Sequence, residues 1–182
     1  MPLSLKPSDS SRRTLRDLVV TAMLLSVLLA QEYLLMGIPN VQLTVVLLLV
    51  YAAVLPWSLL LPLVGAYVFL DNFLMGSLNV IYFVPMLVAW VLLAVIAKWL
   101  RSKPLWAQVA WATFFGFLYG WFFAIPQVIV FRVDFWLYLA ADLEFEVLMA
   151  ASNLVSVSLL YLPLSRLLKS LWGSSESPEI TL

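Results

Sequence analysis

The sequence predicts an all-α integral membrane protein, a bundle of six transmembrane helices with both termini on the cytoplasmic side. Three observations carry that prediction. The 182 residues are 64% hydrophobic and 11% charged, whereas a soluble domain is about half apolar and about a quarter charged. The apolar residues fall into stretches near the roughly 20 residues that a bilayer-spanning helix needs. The basic residues gather at one set of stretch ends, the bias expected of cytoplasmic loops.

The elements follow in order. Residues 1–16 carry Lys6, Arg12, Arg13 and Arg16 among several serines and read as a cytoplasmic segment. The apolar run behind them is long and lacks a small-residue cleavage site, so it reads as a retained first span and not as a secretory leader. The stretches run Leu18–Leu35, Val41–Leu55, Leu59–Leu70, Ile81–Ala97, Leu105–Phe131 and Val147–Leu168. The second and third are short and touch Pro56 and Pro62, which predicts tilted, kinked or partly re-entrant segments. The fifth is long enough to tilt, or to end at Pro126. A membrane β-barrel would alternate apolar and polar residues; Val45–Val50 and Val91–Ile96 are continuously apolar, so helices are favoured. The membrane domain is thus expected over 17–172. The tail, 173–182, has too little apolar content to pack and is expected to be disordered.

An even number of spans puts nine of the ten basic residues inside, with Arg132 alone outside. Asp134, Asp142, Glu144 and Glu146 then fall outside, before the sixth span, and Asp71 follows the third. The ten basic and ten acidic residues balance, which gives no footing for nucleic-acid binding. There is no Cys and no His. Disulfides, thiolate nucleophiles, His bases and the usual zinc ligands are excluded together. No P-loop motif is present, so ATP hydrolysis by that route is excluded as well.

Polar residues in a bilayer segment are costly and usually face the bundle interior or a water-filled cavity. Three groups stand out, all in the outer half. The first is Gln31, Glu32 and Tyr33, followed by a turn with Asn40 and Gln42. The second is Asp71 and Asn72 with Asn79 and Tyr82. The third is Asp142, Glu146 and Asn153, which fall on one stripe at about 100° per residue. Together they predict a ligand pocket open to the outside, lined by Glu32, Tyr33, Asn40, Gln42, Asp71, Asn72, Asn79, Tyr82, Glu146 and Asn153. Blander readings stand beside that one. Asp142 and Glu144 fit solvated caps of a helix N-terminus, and Asn153 fits an interhelical hydrogen bond.

Ala22, Ser26 and Ala30 recur at four-residue spacing on the first span, a face that lets another helix approach closely. Glu32 follows Ala30 by two residues and so points roughly 200° away from that face. One side of the helix is expected to dock and the other to bind.

With these residues in place, the chain resembles the substrate-binding S component of an energy-coupling factor (ECF) vitamin transporter. The resemblance rests on Pro39-Asn40-Val41-Gln42, on Gly65 to Asp71-Asn72 with Gly76, and on Pro85 to Trp90. It continues with Phe145-Glu146, Asn153 and Pro163-Leu164. It implies a non-catalytic subunit of a bacterial cell membrane that binds one vitamin with high affinity. It also implies docking, through the first span, to a membrane coupling subunit driven by two cytoplasmic ATPase subunits; ATP would be bound by those partners only. The family's Ala-x-x-x-Ala pattern matches except that Ser26 replaces the central Ala. The turn and the Asn153 region look most like the cobalamin branch. Folate, pantothenate and riboflavin are the alternatives, with Leu61-Pro62 standing where folate and riboflavin types often have Gly-Pro.

Two other classes compete. A membrane enzyme would use Glu32, Asp71 and Glu146 as acid/base groups, but these are scattered over separate spans with no dense acidic motif. A ligand-free assembly subunit would use the same polar groups to hold helices together.

Overall fold

The computed structural model describes residues 9–38, 41–75 and 79–173, and these form helices only. The helices are α1 (Asp9–Leu35), α2 (Thr44–Val54), α3 (Trp57–Leu74), α4 (Val80–Leu100), α5 (Leu105–Ile129) and α6 (Phe135–Gly173). All but α2 are long and apolar enough to cross a membrane. Residues 1–8 of the N-terminal segment, Asn40 and Gly76, and tail residues 174–182 lie outside the described residues. The apolar exterior fits a lipid setting: Leu34, Val80, Trp106 and Leu159 are each more than 60% exposed, in places where water would make such a surface unfavourable.

The second expected span is shorter than the sequence suggested. Helix α2 has 11 residues, about 16 Å at the α-helical rise, half of the roughly 30 Å hydrocarbon core. Its end coincides with Pro56, which disfavours α-helical backbone in the residue before it; Leu55 is extended, with φ −71° and ψ 144°. Every residue from Thr44 to Ala52 is buried. A helix apolar all round belongs in the core, and α2 packs on α6, α4, α1 and α5, while α3 bridges α1 and α4. Pro56 precedes the first turn of α3, where its missing N–H costs nothing, and Pro62 lies within α3 without ending it. Helix α5 likewise runs through Pro126 to Ile129.

Interhelical bonds fix the directions. Gln31 meets Thr44 while Leu24 meets Tyr51, so α2 runs antiparallel to α1. The Lys98 ammonium donates to the Leu55 carbonyl, which brings the end of α4 to the α2–α3 turn. Arg16 lies over the Trp172 ring, 5.4 Å from its centroid. The start of α1 and the end of α6 therefore share one end of the bundle.

The sixth helix corrects the reading of the acidic segment. The sequence placed Phe135–Glu146 before the sixth span; these residues are instead its first turns, in a helix of 39 residues. Asp134 supplies the cap, its Oδ1 accepting the Leu137 N–H at 2.9 Å, the usual role of Asp before a first helical turn. Asp142 and Glu144 thus sit beyond the first turn and are not caps. The link ahead of this helix takes Arg132 into the left-handed region, φ 59°.

Helices α5 and α6 pack closely at Gly116. A Cβ there would stand 2.5 Å from the Ala150 nitrogen and 2.6 Å from its Cα, and backbone cannot give way as a side-chain tip can. Gly65 on α3 has open space around its missing Cβ. Gly116→Ala should therefore destabilise the protein by about 1–3 kcal/mol, the range for overpacking. Gly65→Ala should be neutral or stabilising by up to about 1 kcal/mol, through helix propensity. Unfolding of both variants in the same detergent checks the contrast; equal midpoints would remove the close α5–α6 seam.

Candidate functional site

The polar residues of the bundle collect into two centres, and they differ in whether their hydrogen bonds are complete. The first joins α1, α2 and α3. Thr44, at the start of α2, accepts from Gln31 Nε2 at 2.6 Å and donates to Glu32 Oε1 at 2.6 Å. Tyr67 on α3 donates to the same carboxylate oxygen at 2.7 Å. Gln31 Oε1 accepts the Leu43 backbone N–H at 2.7 Å, and its amide nitrogen also reaches the Leu28 carbonyl. Gln31 and Thr44 are buried, and Glu32 is half-buried. This clasp satisfies an N–H at the start of α2 that no residue of its own helix can reach.

The second centre lies between α5 and α6. A cavity of about 220 Å³ is lined by Gly116, Tyr119, Gly120, Phe123, Tyr138, Asp142, Glu146 and Met149. Glu146 is 4% exposed, and its Oε1 has no hydrogen-bond partner. Gly120 makes the room: a Cβ there would lie 2.5 Å from Asp142 Oδ2 and 2.6 Å from Glu146 Oε1. The aromatic wall extends inward. Tyr119 stands 5.1 Å from Phe123 and 5.1 Å from Trp90, ring centre to ring centre, and Trp90 meets Tyr67 of the clasp edge-on at 5.9 Å.

The residues singled out from the sequence distribute around these centres. Glu146 lines the cavity, and Gln42 reaches Met149, another lining residue, with Nε2 3.8 Å from Sδ. Glu32 belongs to the clasp. Asn153 is fully buried and donates to the Ala112 carbonyl at 2.9 Å, an interhelical bond between α6 and α5, while its Oδ1 is unpartnered. Asn72 donates to the Val68 carbonyl and to Met86 Sδ. Asn79 caps α4 through the Ile81 N–H. Tyr82 accepts from Gln127 and stacks on Phe123 and Phe131. Asp71 is partly buried near the end of α3, and Tyr33 is exposed. Asn40 lies outside the described residues. The sequence reading missed Thr44, Tyr67, Tyr119 and Gly120. The two glycines of the cavity, Gly116 and Gly120, are spaced one helical turn apart on α5 and were the available signal.

Ala22, Ser26 and Ala30 all face outward from α1. The Ser26 hydroxyl donates to the Ala22 carbonyl of its own helix at 2.9 Å, so the polar atom is satisfied without a neighbour. Among the described residues no group of three or more Asp, Glu, His or Cys is placed to hold a metal ion.

No family model matches the chain, and no curated protein or solved structure matches it either.

Two substitutions separate the clasp from its surroundings. Thr44→Val keeps the shape but removes both hydroxyl bonds, leaving buried partners unsatisfied, so a loss of about 1–3 kcal/mol is expected. Tyr33→Ala, one residue beyond Glu32 on the exposed face, should stay within about 0.5 kcal/mol. Thermal unfolding in detergent measures both; a neutral Thr44→Val would show that the clasp contributes nothing to stability.

Proposed function

We propose that the chain is the solute-binding S component of an ECF-type importer, a six-helix subunit of a bacterial cell membrane with both termini inside. It hands its ligand to a membrane coupling subunit and two ATPases and has no catalysis of its own. The observation that carries this reading is the cavity between α5 and α6, where a buried carboxylate keeps one oxygen without a hydrogen-bond partner among aromatic rings. Ligand pockets combine mostly apolar walls with a few placed polar groups, and this one has that make-up. A ligand-free assembly subunit would gain nothing from leaving Glu146 Oε1 without a partner, since an unmade buried hydrogen bond is costly. The cavity, at about 220 Å³, suits a small vitamin or precursor better than cobalamin, because enclosed drug-sized ligands occupy roughly 300–1,000 Å³.

The outward face of Ala22, Ser26 and Ala30 supports the docking half of the reading. With Ser26 bonded back to its own helix, nothing polar on that face opposes close helix approach. The exposed tryptophans Trp99 and Trp106 flank the Arg101–Lys103 turn, as interfacial aromatics next to a cytoplasmic loop would.

Two experiments follow. Capture of the tagged chain from a host expressing its coupling module should bring down the coupling subunit and the ATPases. Ala22→Trp and Ala30→Trp should lose that complex while leaving the unfolding midpoint of the isolated subunit unchanged. A complex that survives both changes would place the docking face elsewhere. For topology, Ser102→Cys should react with an impermeant thiol reagent only in inside-out vesicles and Arg132→Cys only in intact cells. Reversed labelling would overturn the orientation.

A further inference from the structure

We infer that the α5–α6 cavity takes a small organic cation, an ammonium carried on an aromatic or heteroaromatic ring, with Asp142 and Glu146 as its counter-charge. The inference deepens the solute-binding reading above and rests on it.

The geometry of the carboxylates comes first. Asp142 Oδ2 and Glu146 Oε1 both lie within 2.6 Å of one point, the place a Cβ would take on Gly120. The two oxygens are therefore within about 5 Å of each other. The four-residue spacing on α6 puts both side chains on one face of the helix, and the missing side chain on α5 lets them converge. Like charges this close repel, and the repulsion grows as water is removed.

Tyr138 hydrogen-bonds Asp142 and Trp121 hydrogen-bonds Glu146, but among the described residues no basic side chain pairs with either carboxylate. Among the described residues the ion pair formed is Arg16–Asp17, at the opposite end of the bundle. Arg132, the one basic residue placed outside by the sequence, is exposed in the α5–α6 link. A buried carboxylate normally comes with a paired cation or a full set of donors; Glu146 has neither at Oε1. The missing charge is positive, and the space for it is the cavity that Glu146 lines.

The walls choose among cations. Tyr119, Phe123 and Tyr138 line the same space, and the faces of aromatic rings attract organic ammonium groups. A hard metal ion would want six or more oxygen ligands, whereas this cavity offers two carboxylates and otherwise mostly rings, glycines and a thioether. Its volume, about 220 Å³, limits the ligand to a single ring or little more.

The test uses the purified full chain in lipid nanodiscs, titrated with benzylammonium chloride, benzyl alcohol, sodium benzoate and calcium chloride at matched ionic strength. Binding is read from the saturable rise in unfolding temperature. Benzylammonium should bind, and the neutral and anionic isosteres should not. Asp142→Asn and Glu146→Gln should each weaken benzylammonium at least tenfold while the unliganded unfolding temperature holds or rises, because each removes an uncompensated charge. That pairing separates loss of the site from loss of the fold. Equal binding of benzyl alcohol or benzoate, a matching response to calcium, or no saturable response to benzylammonium would each overturn the cation site. None of these outcomes touches the solute-carrier reading, which stands or falls with capture of the coupling subunit and the ATPases.

Discussion

The structure depends on one constraint: a helix that is too short to cross the bilayer sits in the middle of the bundle with both ends buried among other helices. In hydrocarbon an unsatisfied backbone group costs several kcal/mol, so each end of α2 must find a partner from elsewhere. At the start, Gln31 accepts the Leu43 N–H, and Thr44 joins Gln31 to Glu32. At the finish, Lys98 donates to the Leu55 carbonyl and lies over the Trp57 ring. These contacts come from α1 and α4, so closing the ends of α2 also fixes where those helices stand. The same solution recurs at the end of α4, where Gln108 of α5 donates to the Leu100 carbonyl.

With α2 filling the centre, the remaining helices surround it, and the closest approach left is between α5 and α6. Gly116 allows that approach against the Ala150 backbone; one turn further on, Gly120 uses the same freedom to leave space. Packing and cavity are therefore two consequences of one glycine spacing. Trp90 links the regions, with Tyr67, Phe115 and Tyr119 around it at 5.9, 5.4 and 5.1 Å. The pairs meet edge-on or tilted, geometries in which aromatic rings attract one another, so they form a packed wall behind the cavity.

The helical membrane class was legible because it depends on composition and run length, which are local. The break at Leu55–Pro56 was legible too, because proline disfavours α-helical backbone in the residue before it, although Pro62, Pro85, Pro126 and Pro163 lie inside helices. The extent of α6 was not. Its first turns carry Asp142, Glu144 and Glu146, and a scale that rewards apolar runs reads them as loop; the Asp134 cap, a local signal, was present and outweighed. The fates of Glu32 and Glu146 were hidden for a different reason. Each is a carboxylate beside apolar residues on a helix, and what separates them is the residue facing each from another helix. For Glu32 that is Thr44 and Tyr67, and for Glu146 it is a glycine. Similarly, Asn153 was legible as an inward-facing amide, whereas its acceptor, the Ala112 carbonyl of α5, is set by packing that no spacing rule in one helix contains.

That difference bears on how function and stability divide in a bundle of this kind. A carboxylate in lipid is tolerated only when something meets its charge or takes its hydrogen bonds. Where the chain itself supplies the donors, as Thr44 and Tyr67 do for Glu32, the group becomes part of the framework and its removal is felt in folding. Where the facing helix presents a glycine, as α5 presents Gly120 to Glu146, one carboxylate oxygen is left without a hydrogen bond beside a cavity. Glycine at 120 removes the atoms that would have filled the space, while Trp121 beside it on α5 hydrogen-bonds the Glu146 carboxylate. The division of labour between the two centres therefore follows from what stands opposite each acid, the hydroxyls of Thr44 and Tyr67 in one case and a bare Cα in the other.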